Sequence, residues 1–156
     1  MNNIDANEVH NKIWVGSVPP KGDILFNLGF THVVLCADDF QFPADNFHNI
    51  NVIHCPFEDS DTIMSNKTMA LIFATARAVA EAHKAGGNVL VTCAAGINRS
   101  SLVAALAMRM LGEPPWIAVE KIRANRLPTC LSNTCFRRIA LAENKAADFY
   151  LPENKI

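Results

Sequence analysis

The segment that most constrains this chain is a single strand-to-helix junction. Asn88-Val89-Leu90-Val91-Thr92 is a short aliphatic run flanked by helical patterns, as strands buried in a parallel sheet tend to be. It leads directly into Cys93-Ala94-Ala95-Gly96-Ile97-Asn98-Arg99-Ser100, and a helical pattern continues from Ser100 to Leu111, closed by Gly112. A small-residue loop in that position puts Cys93 at the carboxyl end of a strand, where open α/β sheets bind their ligands. Successive N–H groups of such a loop can converge on an anion, and the helix N-terminus adds its dipole.

The remaining pattern supplies the rest of a sheet. Ile13 to Gly16, His32 to Cys36 and Ile50 to His54 read as strands, and Asp23 to Leu28 as a short helix stopped by Gly29. From Ser65 to Ala85, Met69, Ile72, Phe73, Ala76, Val79 and Ala80 recur at helical spacing, and Gly86-Gly87 ends the run. Pro114-Pro115 opens another helix to Arg126, and Ser132 can cap a last one to about Ala147. The expected fold is α/β, a central mostly parallel sheet flanked by helices, with extra helices at the C-terminal end. The 156 residues suit a single domain, 1–156 with its core at about 11–147, since domains commonly run to about 100–200 residues.

Fourteen Lys+Arg against 15 Asp+Glu argue against a nucleic-acid-coating protein, which is usually strongly basic. No window approaches the run of about 18 apolar residues that spans a bilayer, and the polar start MNNIDANEVHNK lacks a signal-peptide core. A cytoplasmic protein, favoured as a monomer, is expected. The charge is uneven: residues 1–95 hold 5 basic and 10 acidic side chains, net −5, and residues 96–156 hold 9 and 5, net +4. Positive charge bordering a pocket favours an anionic substrate. The five cysteines (Cys36, Cys55, Cys93, Cys130, Cys135) read as reduced thiols, mostly small buried hydrophobes. No cysteine or histidine spacing suggests a metal site, and no cofactor is expected.

Cys93 is the exception among the thiols. Six residues on, Arg99 stands at the first turn of the helix, where a guanidinium can fold back and hold a phosphate through two parallel hydrogen bonds. The same surroundings favour the thiolate, and a thiolate beside a bound phosphate can take the phosphoryl group covalently. The hydroxyl of Ser100 could donate to that sulfur as it leaves. No G-x-x-x-x-G-K-[ST] is present, so this is not a nucleotide-binding Walker loop.

CAAGINRS resembles the C-x-x-G-x-x-R-[ST] loop of cysteine-based protein tyrosine phosphatases in their compact dual-specificity form. The resemblance extends over most of the chain. Ile13-Trp14-Val15-Gly16-Ser17 is similar to that family's "lylGs" strand, Gly29 to Val34 to its "lgithvl" segment, and Leu131 to Phe136 to the "NxxF" start of its last helix. The resemblance implies catalysis by Cys93, Arg99 and Ser100, with phosphate held by the backbone of Ala94, Ala95, Gly96, Ile97 and Asn98 together with Arg99.

Phosphoryl transfer to a thiolate leaves an alkoxide or phenoxide that needs a proton. Cys55-Pro56-Phe57-Glu58-Asp59-Ser60-Asp61 offers three carboxylates just after a strand, and the family's "I-P-x-x-D" turn selects Asp59, with Asp61 in reserve. By the same resemblance Arg126 borders the pocket and can meet a second phosphate. Its alternative is a solvated cation at a helix end. Asn133 is expected to tie loops together without touching substrate. Trp14 and Trp116 read as core or helix-packing aromatics.

One residue departs from the family pattern: Thr92 stands where a histidine commonly precedes the nucleophile. The resemblance implies a metal-independent, two-step phosphatase acting on phosphotyrosine, and on phosphoserine or phosphothreonine, of phosphorylated protein substrates. Three rivals stay open. Gly96-Ile97-Asn98-Arg99 is similar to the "GxNR" of RNA 5′-triphosphatases, although those carry Thr after the Arg and are more basic. A phosphoinositide phosphatase of the same fold is the second, and a catalytically silent phosphate-binding module, with Thr92 as its symptom, is the third.

Overall fold

The computed structural model describes residues 4–37 and 41–143. Five strands form one sheet: β1 (Ala6–His10), β2 (Ile13–Gly16), β3 (His32–Leu35), β4 (Asn51–His54) and β5 (Val89–Thr92), in the order β1-β2-β5-β3-β4. β1 pairs antiparallel with β2 and every other neighbour is parallel. β5 lies in the middle, flanked by β2 and β3, and all four of its residues are buried. That placement accounts for its unbroken apolar sequence.

The described residues also form five α-helices: α1 (Ile24–Asn27), α2 (Asn66–Lys84), α3 (Arg99–Met110), α4 (Pro115–Asn125) and α5 (Thr134–Leu141). Every residue of α3 is buried, as expected of a helix enclosed on all sides. It packs against α2, α4, α5 and the strands β2 and β5. The main core unites the β2 and β5 residues Val15, Val89 and Val91 with the helices, while Leu25, Phe30, Val33, Leu35, Phe47 and Leu90 form a smaller cluster across the sheet. No helix among the described residues is long and apolar enough to cross a membrane.

Three expectations need correction. The last helix is capped by Asn133, whose Oδ1 accepts from Phe136 N at 3.1 Å, because Ser132 lies one residue too early to reach that amide. Its Oγ is 3.4 Å from Asn98 Oδ1 instead. The helix ends at Leu141, not near Ala147. Ala142 turns out of the helical region with ψ 138°, and Arg109 Nη1 donates to the carbonyls of Ile139 and Ala140, which satisfies end groups that have no helical partner. Residues beyond 143 lie outside the described part. Trp116 is 63% exposed at the first turn of α4, so it is no packing aromatic. Trp14, by contrast, lies edge-on to Phe30 and donates to Asn88 Oδ1.

β1 was not anticipated. Its sequence, Ala-Asn-Glu-Val-His, has a single aliphatic side chain turned inward, Val9, so neither a run nor an alternation announces it. Tertiary pairing with β2 makes it a strand.

Candidate active site

The junction after β5 has the expected form. Cys93 N donates to Gly16 O at 3.2 Å, which anchors the loop start to the end of β2. Cys93 Sγ lies 3.2 Å from Ser100 Oγ, in the first turn of α3. Both side chains are withdrawn from solvent: Cys93 is 2% exposed and Ser100 fully buried.

Residues 94–98 follow, and acceptors along them are held by Arg126 and the α4–α5 connection. Arg126 Nη2 donates to Ala95 O at 3.2 Å and its Nε to Gly96 O at 3.1 Å. Leu131 N donates to Ile97 O at 3.0 Å, and Asn133 N to Asn98 Oδ1 at 3.0 Å. Gly96 has φ +67°, and a Cβ there would stand 2.6 Å from Arg126 Nη2 and 2.6 Å from the Gly16 carbonyl carbon. Only glycine fits both the dihedral and the space. Leu131 also takes a positive φ, +62°, a conformation that costs a non-glycine residue about 1–2 kcal/mol. The surrounding bonds hold it there.

Arg99 is nearly buried, and its Nη1 donates to Phe57 O at 3.3 Å. The guanidinium therefore ties α3 to the segment that carries the candidate acid. A cleft of about 710 Å³ opens there, and its walls include Pro56, Glu58, Asp59, Met64 and Arg99. Cys93 is not one of the residues of this wall.

The two candidate acids part company. Asp59 faces the cleft; its Oδ1 accepts from Asn133 Nδ2 at 2.9 Å and its Oδ2 from Asn98 Nδ2 at 3.2 Å. Asp61 accepts from Thr134 Oγ1 at 2.9 Å and from Cys135 N at 3.4 Å, where it serves the amino end of α5. It lines a separate cavity with Thr134 and Arg138. Asn133, whose Nδ2 also reaches Ser60 O at 2.9 Å, joins the acid segment to α5.

Arg126 is neither of the two things its position suggested. It is not a solvated helix-end cation, since it is only 8% exposed. Nor can it meet a second phosphate, because its donors are spent. Besides the two loop carbonyls, Nη1 donates to Asp5 Oδ1 at 2.8 Å and Asn7 Oδ1 at 3.0 Å, and Nη2 to Asp5 Oδ2 at 3.1 Å. A guanidinium has five N–H groups, and all five are placed.

Thr92 is fully buried. Its hydroxyl donates to Val34 O at 2.7 Å and accepts from Gln41 Nε2 at 2.8 Å, while Gln41 Oε1 accepts from Ala37 N. The threonine thus binds the strand end under Cys93 to the β3–β4 connection. Cys36 is buried nearby. Burial, reinforced by Cys55 and Cys93 and opposed by Arg99, pushes its thiol well above the ordinary range; burial also raises Cys55. A raised thiol pKa keeps the thiolate population low.

Two functional features escaped the sequence. The Asn98 side chain, counted only as loop backbone, links Asp59 to the start of α5. Asp5 and Asn7, with no motif around them, complete the partners of Arg126.

The comparisons agree with this fold. The model of the dual specificity phosphatase catalytic domain matches residues 13–145. A mouse protein assigned to the dual specificity phosphatases, solved in complex with zinc tungstate, superposes with a TM-score of 0.74 at 19% identity, over 98% of this chain and 92% of that one. Human DUSP28 gives 0.72 at 21%, covering 99% and 98%. PTPMT1, also solved with PI(5)P, gives 0.70 at 13%, covering 96% and 98%. No curated protein matches by sequence. With the catalytic-domain model matched over most of its length, the chain belongs to the dual specificity phosphatase family.

Proposed function

We propose that the chain hydrolyses phosphotyrosine, and phosphoserine or phosphothreonine, on proteins through a cysteinyl-phosphate intermediate. What supports this reading is a cleft whose walls include both Arg99 and Asp59, at the amino end of the helix in which Ser100 Oγ lies 3.2 Å from Cys93 Sγ. In the first step Cys93 Sγ attacks phosphorus and the bond to the leaving oxygen breaks. Arg99 and the amides of residues 94–98 hold the equatorial oxygens as charge develops on them. Asp59 gives its proton to the leaving oxygen. In the second step water attacks phosphorus, Asp59 takes the proton back, and the S–P bond breaks as Ser100 donates to the departing sulfur. Nucleophile, charge clamp and acid are all protein groups, so the scheme needs no metal.

A lipid phosphomonoester is the second reading, favoured by the likeness to a fold solved with PI(5)P. A panel of phosphotyrosyl peptide, phosphothreonyl peptide, phosphoinositide and triphosphate-ended RNA, assayed with EDTA present, separates the substrates. Turnover of phosphotyrosyl peptide that survives EDTA and is blocked by vanadate is the expected result. Cys93→Ser should abolish it. Appreciable activity in Cys93→Ser, or activity that EDTA removes and a divalent metal restores, overturns the mechanism.

A further inference from the structure

A phosphate-binding loop works only if its amides point inward, and peptide geometry makes that a question of where its carbonyls are held. In a trans peptide the C=O of one residue and the N–H of the next lie in one plane and point in opposite directions. Fixing the carbonyls of Ala95, Gly96 and Ile97 on the outer side therefore aims the amides of Gly96, Ile97 and Asn98 to the inner side. Three bonds do this, two from Arg126 and one from Leu131 N. Among the described residues no acceptor takes the amides of residues 94–98, so those amides remain available to an anion.

Arg126 can serve two carbonyls at once only because its other donors are satisfied elsewhere. Its guanidinium is buried, and a buried cation without a counter-charge is costly. Asp5 supplies the counter-charge through a bidentate pair, and Asn7 takes the fifth donor. Both stand at the start of β1, the strand that adds the antiparallel edge to the sheet. The Asp5 main chain is tied down as well, since its carbonyl accepts from Ser17 N at 3.0 Å, just past the Gly16 whose own carbonyl receives Cys93 N. The hydrogen bond from Arg126, opposed by partial burial, holds the Asp5 carboxyl below its ordinary 3.8.

We propose that Arg126 is a positioning residue for the phosphate loop and that β1, through Asp5 and Asn7, is part of the same brace. No residue of β1 is among those that line the cleft. The strand acts through the guanidinium, and the guanidinium acts through the two loop carbonyls. The role rests on the phosphatase reading above, because it is the phosphoryl oxygens that the loop amides meet. Lysine cannot replace Arg126: a single ammonium cannot span Ala95 O, Gly96 O and the Asp5 carboxylate in the fixed fork that the guanidinium provides.

The test separates anion binding from chemistry and from folding. In the full-length Cys93→Ser protein, binding of inorganic phosphate and of tungstate is measured by calorimetry, then again with Arg126→Met, Arg126→Lys or Asp5→Asn added. Arg126→Met is expected to weaken both anions by about tenfold or more, equivalent to about 1.4 kcal/mol. Arg126→Lys should not rescue it. Asp5→Asn, a near-isosteric change at a largely exposed carboxylate, should weaken them several-fold, and adding it to Arg126→Met should cost nothing further. In the Cys93 protein, kcat/KM for an aryl phosphate and an alkyl phosphate should fall by the same factor, since the brace serves the phosphoryl group and not the leaving group. If Cys93→Ser binds both anions and the Asp5 and Arg126 variants bind within twofold of it, the positioning role is wrong, whatever their melting temperatures. If Cys93→Ser binds neither anion, the phosphatase reading itself falls and takes this role with it.

Discussion

Asn98 Nδ2 donates to Asp59 Oδ2 at 3.2 Å, so the candidate acid is tied to the very loop that would hold the phosphate. The same Asn98 accepts from Asn133 N through its Oδ1, and Asn133 returns to the other oxygen of Asp59. Loop, acid and last helix form a closed ring of hydrogen bonds. The ring fixes the carboxylate of Asp59 relative to the loop.

Breaking the ring at Asn98 should therefore cost catalysis with little global unfolding. One such bond contributes about 0.5–1.5 kcal/mol, so Asn98→Ala is expected to lower kcat for an alkyl phosphate by about three- to tenfold. Asn98→Asp, which sets a second carboxylate against Asp59, should be worse. Steady-state rates alongside a melting curve check this, and an undiminished kcat in Asn98→Ala would show that Asp59 needs no support from the loop.

Asp59 and Asp61 should separate cleanly by assay. Asp59→Asn is expected to slow a poor leaving group by about 10²–10⁴-fold and a leaving group of low pKa much less. Asp61→Asn should leave both rates near normal. It should lower stability by about 0.5–2 kcal/mol, as loss of a helix cap does, because Asp61 serves the amino end of α5. Rates for two leaving groups and a urea midpoint distinguish them, and the reverse pattern would move the acid to Asp61.

Saturation of Arg126 bears on substrate choice. With its five donors spent inside the protein, no guanidinium waits there for a second phosphate, and Glu58 adds negative charge to the cleft. Doubly phosphorylated peptides should show no gain in kcat/KM over singly phosphorylated ones, and Glu58→Gln should improve the doubly phosphorylated substrate more than the single. A tenfold preference of the native enzyme for two phosphates would mean that another cation receives the second.

Stability should fall on mild acidification. Burial, helped by the nearby Lys121 charge and opposed by Glu113, holds His10 below its ordinary 6.5, and burial does the same to His32. The unfolded chain takes up protons near 6.5 while the folded one resists until lower pH. Their contribution is therefore complete above 6.5 and is lost as pH falls from there through the folded values. Denaturation midpoints between pH 8 and pH 5 should decline, and His10→Gln should flatten the slope. An unchanged slope would assign the loss to other groups.

Much of this architecture can be read from the sequence because it depends on local patterns. The β5 run, the small loop and the helix after it announce each other, and the spacing from Cys93 to Arg99 is fixed by one loop and one turn. What could not be read depends on partners far away in the chain. Nothing near Asp5 signals that it will meet Arg126, 121 residues later. Asn98 has the residue type of an ordinary loop position, and its value comes only from where Asn133 and Asp59 are brought. Serine and asparagine cap helices about equally well, so residue type alone could not correct the expectation of Ser132; the turn geometry puts Asn133 there. Arg126 failed in the same way: a basic residue at a helix end is solvated or buried according to what packs over it, and β1 does so here.

The edge strand carries a practical lesson for anyone who cuts this protein to size. The family match begins at residue 13, a natural place to start a shortened clone. Such a clone would discard Asp5 and Asn7, which take three of the five guanidinium hydrogens of Arg126. The candidate nucleophile, arginine and acid would all be present in the gene. What would be missing is the carboxylate paired with Arg126, so weak activity in such a clone would not count against the candidate residues.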